Sequence, residues 1–242
     1  MDFILIGDSI TYGYQSGGVG QNAPVLLSFA SALSIPPSQV LNLGFNGATS
    51  SDWTGSRLTD ALSLAQPNTI FLVCLGANDA KIGRSDGEFA FHYKNIVNTV
   101  HASGHIVIAN EALYLEPGHP PFPDDAFKTI SLYNKRLDET GASIGDTSAY
   151  EFFQQNPSLL SDGVHPNSEG AQWLGQAWAS AVQNTTAPEP CSLALLIPCL
   201  LLLRLLRPRH KTIPAICVRM VPPNIVVGGV EYAPVSAPAI EK

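Results

Sequence analysis

Short apolar runs, Phe3–Ile6, Val40–Leu43, Ile70–Leu75 and Ile106–Ala109, recur through the first half of the chain, with a weaker one near Ala142–Ile144. A strand with one wet face alternates apolar and polar residues. These runs do not alternate, so they suit strands covered on both faces, as in a parallel sheet packed between helices. Between them, residues 22–34, 52–65, 86–102, 125–140 and 168–183 have helical character. Strand and helix alternating at this spacing predict a doubly wound, three-layer α/β/α domain over residues 1–183, with a central parallel sheet of about five strands.

Bulk properties exclude several partners. Twenty acidic residues against 13 basic ones give a net charge of -7, which offers nucleic acid no electrostatic attraction. Cys74 is the single cysteine before residue 191, so the predicted domain has no disulfide framework, and no Cys/His spacing suits a metal. Gly13, Gly17, Gly18 and Gly20 match neither the phosphate-loop nor the dinucleotide pattern and read as a flexible substrate-side loop. The sequence therefore predicts no metal and no organic cofactor.

In an open parallel sheet, ligands bind beyond the carboxyl ends of the strands. The first run ends in Gly7-Asp8-Ser9-Ile10-Thr11, the second in Gly44-Phe45-Asn46-Gly47-Ala48-Thr49 and the third in Gly76-Ala77-Asn78-Asp79. A fourth polar segment, Ser161-Asp162-Gly163-Val164-His165-Pro166-Asn167, precedes the last helical segment. An Asp and a His three residues apart in a tight turn can set a carboxylate against Nδ1 of the ring, leaving Nε2 to face a nucleophile. Ser9 is the candidate nucleophile. Each piece also has a plain structural reading. Asp8 and Ser9 cap helices well, and Asn46-Gly47 and Asn78-Asp79 are common in turns. Asp8 reads as structural. His92, His101, His105, His119 and His210 have no motif around them and read as surface or satisfied histidines.

Taken together and in this order, GDSIT, NGATS, GAND and DGVHPN resemble the motif blocks of the SGNH, or GDSL-type, esterase and lipase family, over residues 2 to about 183. The resemblance implies an SGNH-hydrolase, flavodoxin-like fold and a serine esterase working through an acyl-serine intermediate. It implies Ser9 as nucleophile, His165 as general base and Asp162 as the residue orienting the imidazole. The backbone N–H groups of Ser9 and Gly47 and the side-chain amide of Asn78 would form the oxyanion hole. Gly44 competes for that role, but Gly47 holds the place the family pattern gives it. The substrate would be a small-molecule or glycan ester, O-acetyl groups on carbohydrates included. A catalytically silent carbohydrate-binding or scaffold protein of the same fold is the alternative, although a binding module has no need of Ser, His and Asp together.

Residues 184–190 read as a linker, 191–211 as a hydrophobic segment with a basic cluster, and 212–242 as a poorly ordered tail without helical or strand period. Ala187-Pro188-Glu189-Pro190, the apolar run from Cys191 and the basic cluster that follows it resemble a PEP-CTERM sorting signal. Pro198 and Arg204 inside the run and the long extension after the basic cluster depart from that pattern. The resemblance implies contact with a membrane or sorting machinery and a place in the cell envelope or outside the cell. Since no export signal precedes Phe3, that location carries the expectation of a start upstream of Met1, with a cytoplasmic protein as the alternative.

Overall fold

In the computed structural model the chain divides into two compact units, Met1–Pro188 and Glu189–Lys242. The structure describes residues 2–186 and the backbone of four residues in the second unit. The first unit contains strands β1 (Phe3–Gly7), β2 (Val40–Asn42), β3 (Ile70–Cys74), β4 (Ile106–Ala109) and β5 (Ser143–Ile144). They form one parallel sheet in the order β2-β1-β3-β4-β5. The predicted sheet is therefore present, and every residue of β1 and β3 is buried, as strands covered on both faces require.

Eight α-helices are described: α1 (Ser9–Tyr12), α2 (Pro24–Ala32), α3 (Ser56–Ser63), α4 (Ala77–Lys81), α5 (Asp86–Ala102), α6 (Ala126–Arg136), α7 (Ala149–Gln155) and α8 (Ser168–Thr186). The chain moves one way across the sheet from β1 to β2 and the other way from β3 to β5. Right-handed crossovers consequently place their helices on opposite faces. Helices α2 and α8 pack on each other, and Phe29 of α2 meets Phe3 of β1 edge to face at 5.2 Å. On the α5 side, Phe89 stacks on Tyr133 of α6 at 4.2 Å, and the Tyr93 hydroxyl donates to the Val73 carbonyl.

Local chemistry sets the boundaries. Helix α5 starts where Ser85 and Glu88 form a reciprocal capping box, and it ends at residue 102 as expected. The segment expected as 52–65 is instead a 3₁₀ turn, Ser50–Trp53, followed by α3, because Gly55 interrupts it. The segment 125–140 ends its α-helix at Arg136 and closes with a 3₁₀ turn at Leu137–Glu139. Residues 184–186, expected in the linker, continue α8: the Thr185 and Thr186 hydroxyls bond back to the carbonyls of Ala181 and Val182. No helix of the described residues is long and apolar enough to cross a membrane.

In the second unit the described residues are Val226–Val227 and Val230–Glu231, an antiparallel pair. This pair departs from the expectation of a tail without strand period; in the sequence, Gly228-Gly229 separates two short valine-rich stretches, a pattern that favours a two-residue hairpin. The expectations for residues 187–190 and 191–211, and for the rest of 212–242, lie outside the described residues.

Candidate active site

The order β2-β1-β3 reverses chain direction at β1 and β3, so the crevice of the fold opens beyond their carboxyl ends. Ser9 stands there, at the first position of α1. Asp8 caps that helix by accepting from the Ile10 N–H at 2.9 Å, which fixes the turn out of the strand. Asp8 is thus structural, as read. It is also buried, and burial, with the charge of Asp79 adding to it, lifts its carboxyl to about 7. Its folded value lies above the ordinary 3.8, so the folded chain binds more protons than the unfolded one between those values. Stability is therefore full below the unfolded value and falls as pH rises toward 7. Asp8→Asn keeps the cap acceptor and should flatten this decline, by up to about 4 kcal/mol at neutral pH. Denaturant melts of both proteins from acid to neutral pH check it; parallel curves would refute it.

The Ser9 hydroxyl lies 2.8 Å from His165 Nε2. On the far side of the ring, Nδ1 lies 2.8 and 3.0 Å from the two carboxylate oxygens of Asp162. The turn that carries this pair is closed by the Ser161 N–H donating to the His165 carbonyl at 2.7 Å, and Asn167 caps α8 directly after it. Burial pushes the Asp162 carboxyl up, but the hydrogen bonds from the His165 backbone and ring and from the Val164 N–H outweigh it and hold the group below the ordinary range. Asp162 thus stays ionised beside the ring.

Asn46, Gly47 and Asn78 line the same cleft as Ser9, Asp162 and His165. Gly47 has φ +79°, the left-handed region in which glycine is favoured; a Cβ there would meet nothing within 4 Å, so conformation rather than crowding asks for glycine. Gly44 is different: a Cβ there would collide with the backbone of Thr11 and Tyr12, so it serves the packing of α1. One amide hydrogen of Asn78 is used on the Ala48 carbonyl at 3.1 Å, which leaves the second free. Among the described residues no protein group accepts from the Ser9 or Gly47 N–H.

Behind these donors lies a network without a sequence signal. Asp79, fully buried, accepts from the Ser50 N–H at 2.9 Å and the Ser50 hydroxyl at 2.6 Å. Arg84 pairs with Asp79 at 3.1 Å and donates to the Ser50 and Ser51 hydroxyls. The loops after β2 and β3 are thereby tied together. By sequence Asp79 is a turn or cap residue, and no motif surrounds Arg84.

The cleft, of about 400 Å³, is completed by Tyr14, Lys81, His119, Pro120, Pro121, Phe122 and Val164. Tyr14 comes from the glycine-rich loop after α1, on the substrate side as expected, with its ring 4.9 Å from that of His165. His119, grouped by sequence with histidines of no special place, is a cleft-wall residue. Its ring sits against Gly163, where any β-carbon would clash, and its Nε2 lies 3.2 Å from the Glu116 carboxylate. Nothing local in the sequence brings residue 119 to residue 163. The apolar tip Pro120-Pro121-Phe122 after β4 was the available hint.

The sequence pattern of the GDSL-like lipase/acylhydrolase family matches residues 5–173. No curated protein matches the chain. Among solved structures, a putative acylhydrolase from Bacteroides fragilis shares 20% identity over 76% of this chain and 87% of its own, with a TM-score of 0.60. The psychrotrophic esterase EstA from Pseudoalteromonas sp., inhibited by monoethylphosphonate, aligns at 20% identity over 76% of this chain and 98% of its own, with a TM-score of 0.56. A variant of an acetyl xylan esterase from Geobacillus stearothermophilus aligns at 21% identity over 75% and 94%, with a TM-score of 0.57. These likenesses bear on the fold, whereas the family match spans all four motif blocks and the cleft they build. The chain belongs to the GDSL-like lipase/acylhydrolase family, and it is a hydrolase of carboxylic esters.

Proposed function

We propose that the protein is a serine esterase that removes O-acetyl groups from carbohydrates through an acyl-Ser9 intermediate. The observation that carries this reading is the continuous chain from the Ser9 hydroxyl through His165 to Asp162, with contacts of 2.8 Å on both sides of the ring. A serine hydroxyl attacks well only when a base removes its proton. His165 Nε2 takes that proton as Ser9 Oγ bonds to the ester carbonyl carbon. The carbonyl oxygen becomes an oxyanion, met by the N–H groups of Ser9 and Gly47 and the free amide hydrogen of Asn78. Collapse expels the alcohol, which leaves with the proton from His165. Water, deprotonated by the same nitrogen, then attacks the acyl-enzyme and frees the acid and Ser9. Asp162 holds the ring in the tautomer with its proton on Nδ1 and stabilises the imidazolium.

The acetyl preference is supported by the acetyl xylan esterase among the structural neighbours and by a cleft of modest size. Assays of the full-length protein on p-nitrophenyl esters from acetyl to palmitoyl, and on acetylated xylo-oligosaccharides, test it. Acetate release from the oligosaccharides and a rate falling with acyl length are expected. Failure on every ester would overturn the activity, a preference for long chains would overturn the acetyl assignment, and cleavage of p-nitrophenyl acetate without acetate release from the oligosaccharides would overturn the carbohydrate assignment.

We further propose that the segment from Ala187 to Arg209 sorts the protein to the cell envelope as a PEP-CTERM-like signal, a reading supported by its residue pattern alone. Antibody detection in fractionated source cells should find it in membrane or medium. Recovery in cytosol alone would refute this.

A further inference from the structure

Lys81 is the last residue of α4, one helical turn beyond Asn78, and both line the cleft. Residues three apart on a helix share a face, with β-carbons about 5–6 Å from one another. Its ammonium lies 5.9 Å from the centre of the Phe122 ring, at the exposed edge of the same cleft. The other charged groups nearby are engaged. Asp162 is held by His165, His119 faces Glu116, and Arg84 is bound to Asp79. Among the described residues no carboxylate pairs with Lys81. The remaining lining is mostly apolar, from Pro120, Pro121, Phe122 and Val164, or amide, from Asn46 and Asn78.

From this arrangement we propose that Lys81 is a specificity-determining residue that selects O-acetylated acidic sugars, uronic acids being the class that fits. The proposal rests on the esterase reading above. An ester carbonyl seated against Ser9 and Asn78 lies in the cleft whose edge carries the Lys81 ammonium on its flexible stem. A uronic acid ring carries its carboxylate and its acylated hydroxyls within the breadth of one ring, so both can be held in that cleft at once. The C–H face of such a ring can rest on Phe122 and the prolines, while the carboxylate reaches Lys81. An acetyl group has no place for a charge, so the anion belongs to the alcohol side of the ester. The chain's net charge of -7 otherwise repels anionic substrates, which leaves this local cation to set the preference.

The test uses the full-length protein and two matched substrates, a mono-O-acetylated methyl galacturonoside and the corresponding neutral galactoside, with acetate release as the readout. The expected ratio of kcat/KM, acidic over neutral, is about three- to fivefold, the scale of one solvent-exposed ion pair. Lys81→Met should bring the ratio to about one, Lys81→Arg should preserve it, and about 1 M salt should erase it in the wild type. Because each ratio is taken within one preparation, a general loss of activity cancels. A wild-type ratio near one, or a ratio unchanged in Lys81→Met, would overturn the proposal and leave the esterase intact if p-nitrophenyl acetate is still cleaved. Equal rates on the two sugars with a Lys81-dependent preference for p-nitrophenyl hemisuccinate over the acetate would move the charge to the acyl side and also overturn it. Inactivity on all these esters would remove the esterase reading itself.

Discussion

Ser9→Ala should lower kcat for p-nitrophenyl acetate on the order of 10⁵–10⁶-fold and leave the melting temperature nearly unchanged. The Ser9 side chain makes its hydrogen bond to His165 alone, so alanine removes the nucleophile without orphaning a second structural partner. His165→Ala should fall by a similar factor, because an unassisted hydroxyl at neutral pH is as ineffective as an absent one. The double variant should be no worse than either single one, since the two act as a unit. Asp162→Asn should fall less, about 10⁴-fold, because Asp162 orients the ring and never touches the substrate. Steady-state kinetics with circular dichroism of each variant measure this series. A folded Ser9→Ala protein that retains turnover would take Ser9 out of the mechanism.

How far such a site can be read from sequence depends on the range of the interactions. The five strands were legible because burial on both faces leaves apolar runs, and a run is a local pattern. Ser9, Gly47 and Asn78 were legible because each follows a strand end, which the parallel topology gathers at one edge. Asp162 and His165 were legible because they share one turn. Asp79, Ser50 and Arg84 were not, since their partnership joins two loops through side chains 29 and more residues apart, and no spacing encodes it. His119 escaped for the same reason. Its place is set by how the loop after β4 folds over Gly163, not by any residue beside it. The short helices α1 and α4 were also missed. A single turn presents no apolar period, and in both the buried residues belong to the site as much as to the helix.

Asn78→Ala should cut kcat by about 10²–10³-fold, equivalent to about 2.7–4 kcal/mol, with KM little changed. The asymmetry follows from where charge appears. The carbonyl oxygen of a bound ester is a weak acceptor, and it gains its negative charge only as Ser9 attacks, so a donor aimed at it contributes mainly in the transition state. The same substitution also removes the bond from Asn78 to the Ala48 carbonyl, which is worth about 1 kcal/mol of stability and lowers the melting temperature slightly. Those two losses can be separated. Arg84→Met should loosen the ties to Asp79, Ser50 and Ser51, and so disturb the loops that hold the donors, while leaving the Asn78 amide in place. Its kcat should fall by less than that of Asn78→Ala even where its stability falls by more. If activity instead follows stability across both variants, the amide is only a structural bond between two loops. If kcat collapses in Asn78→Ala alone, the free hydrogen of that amide is spent on the oxyanion.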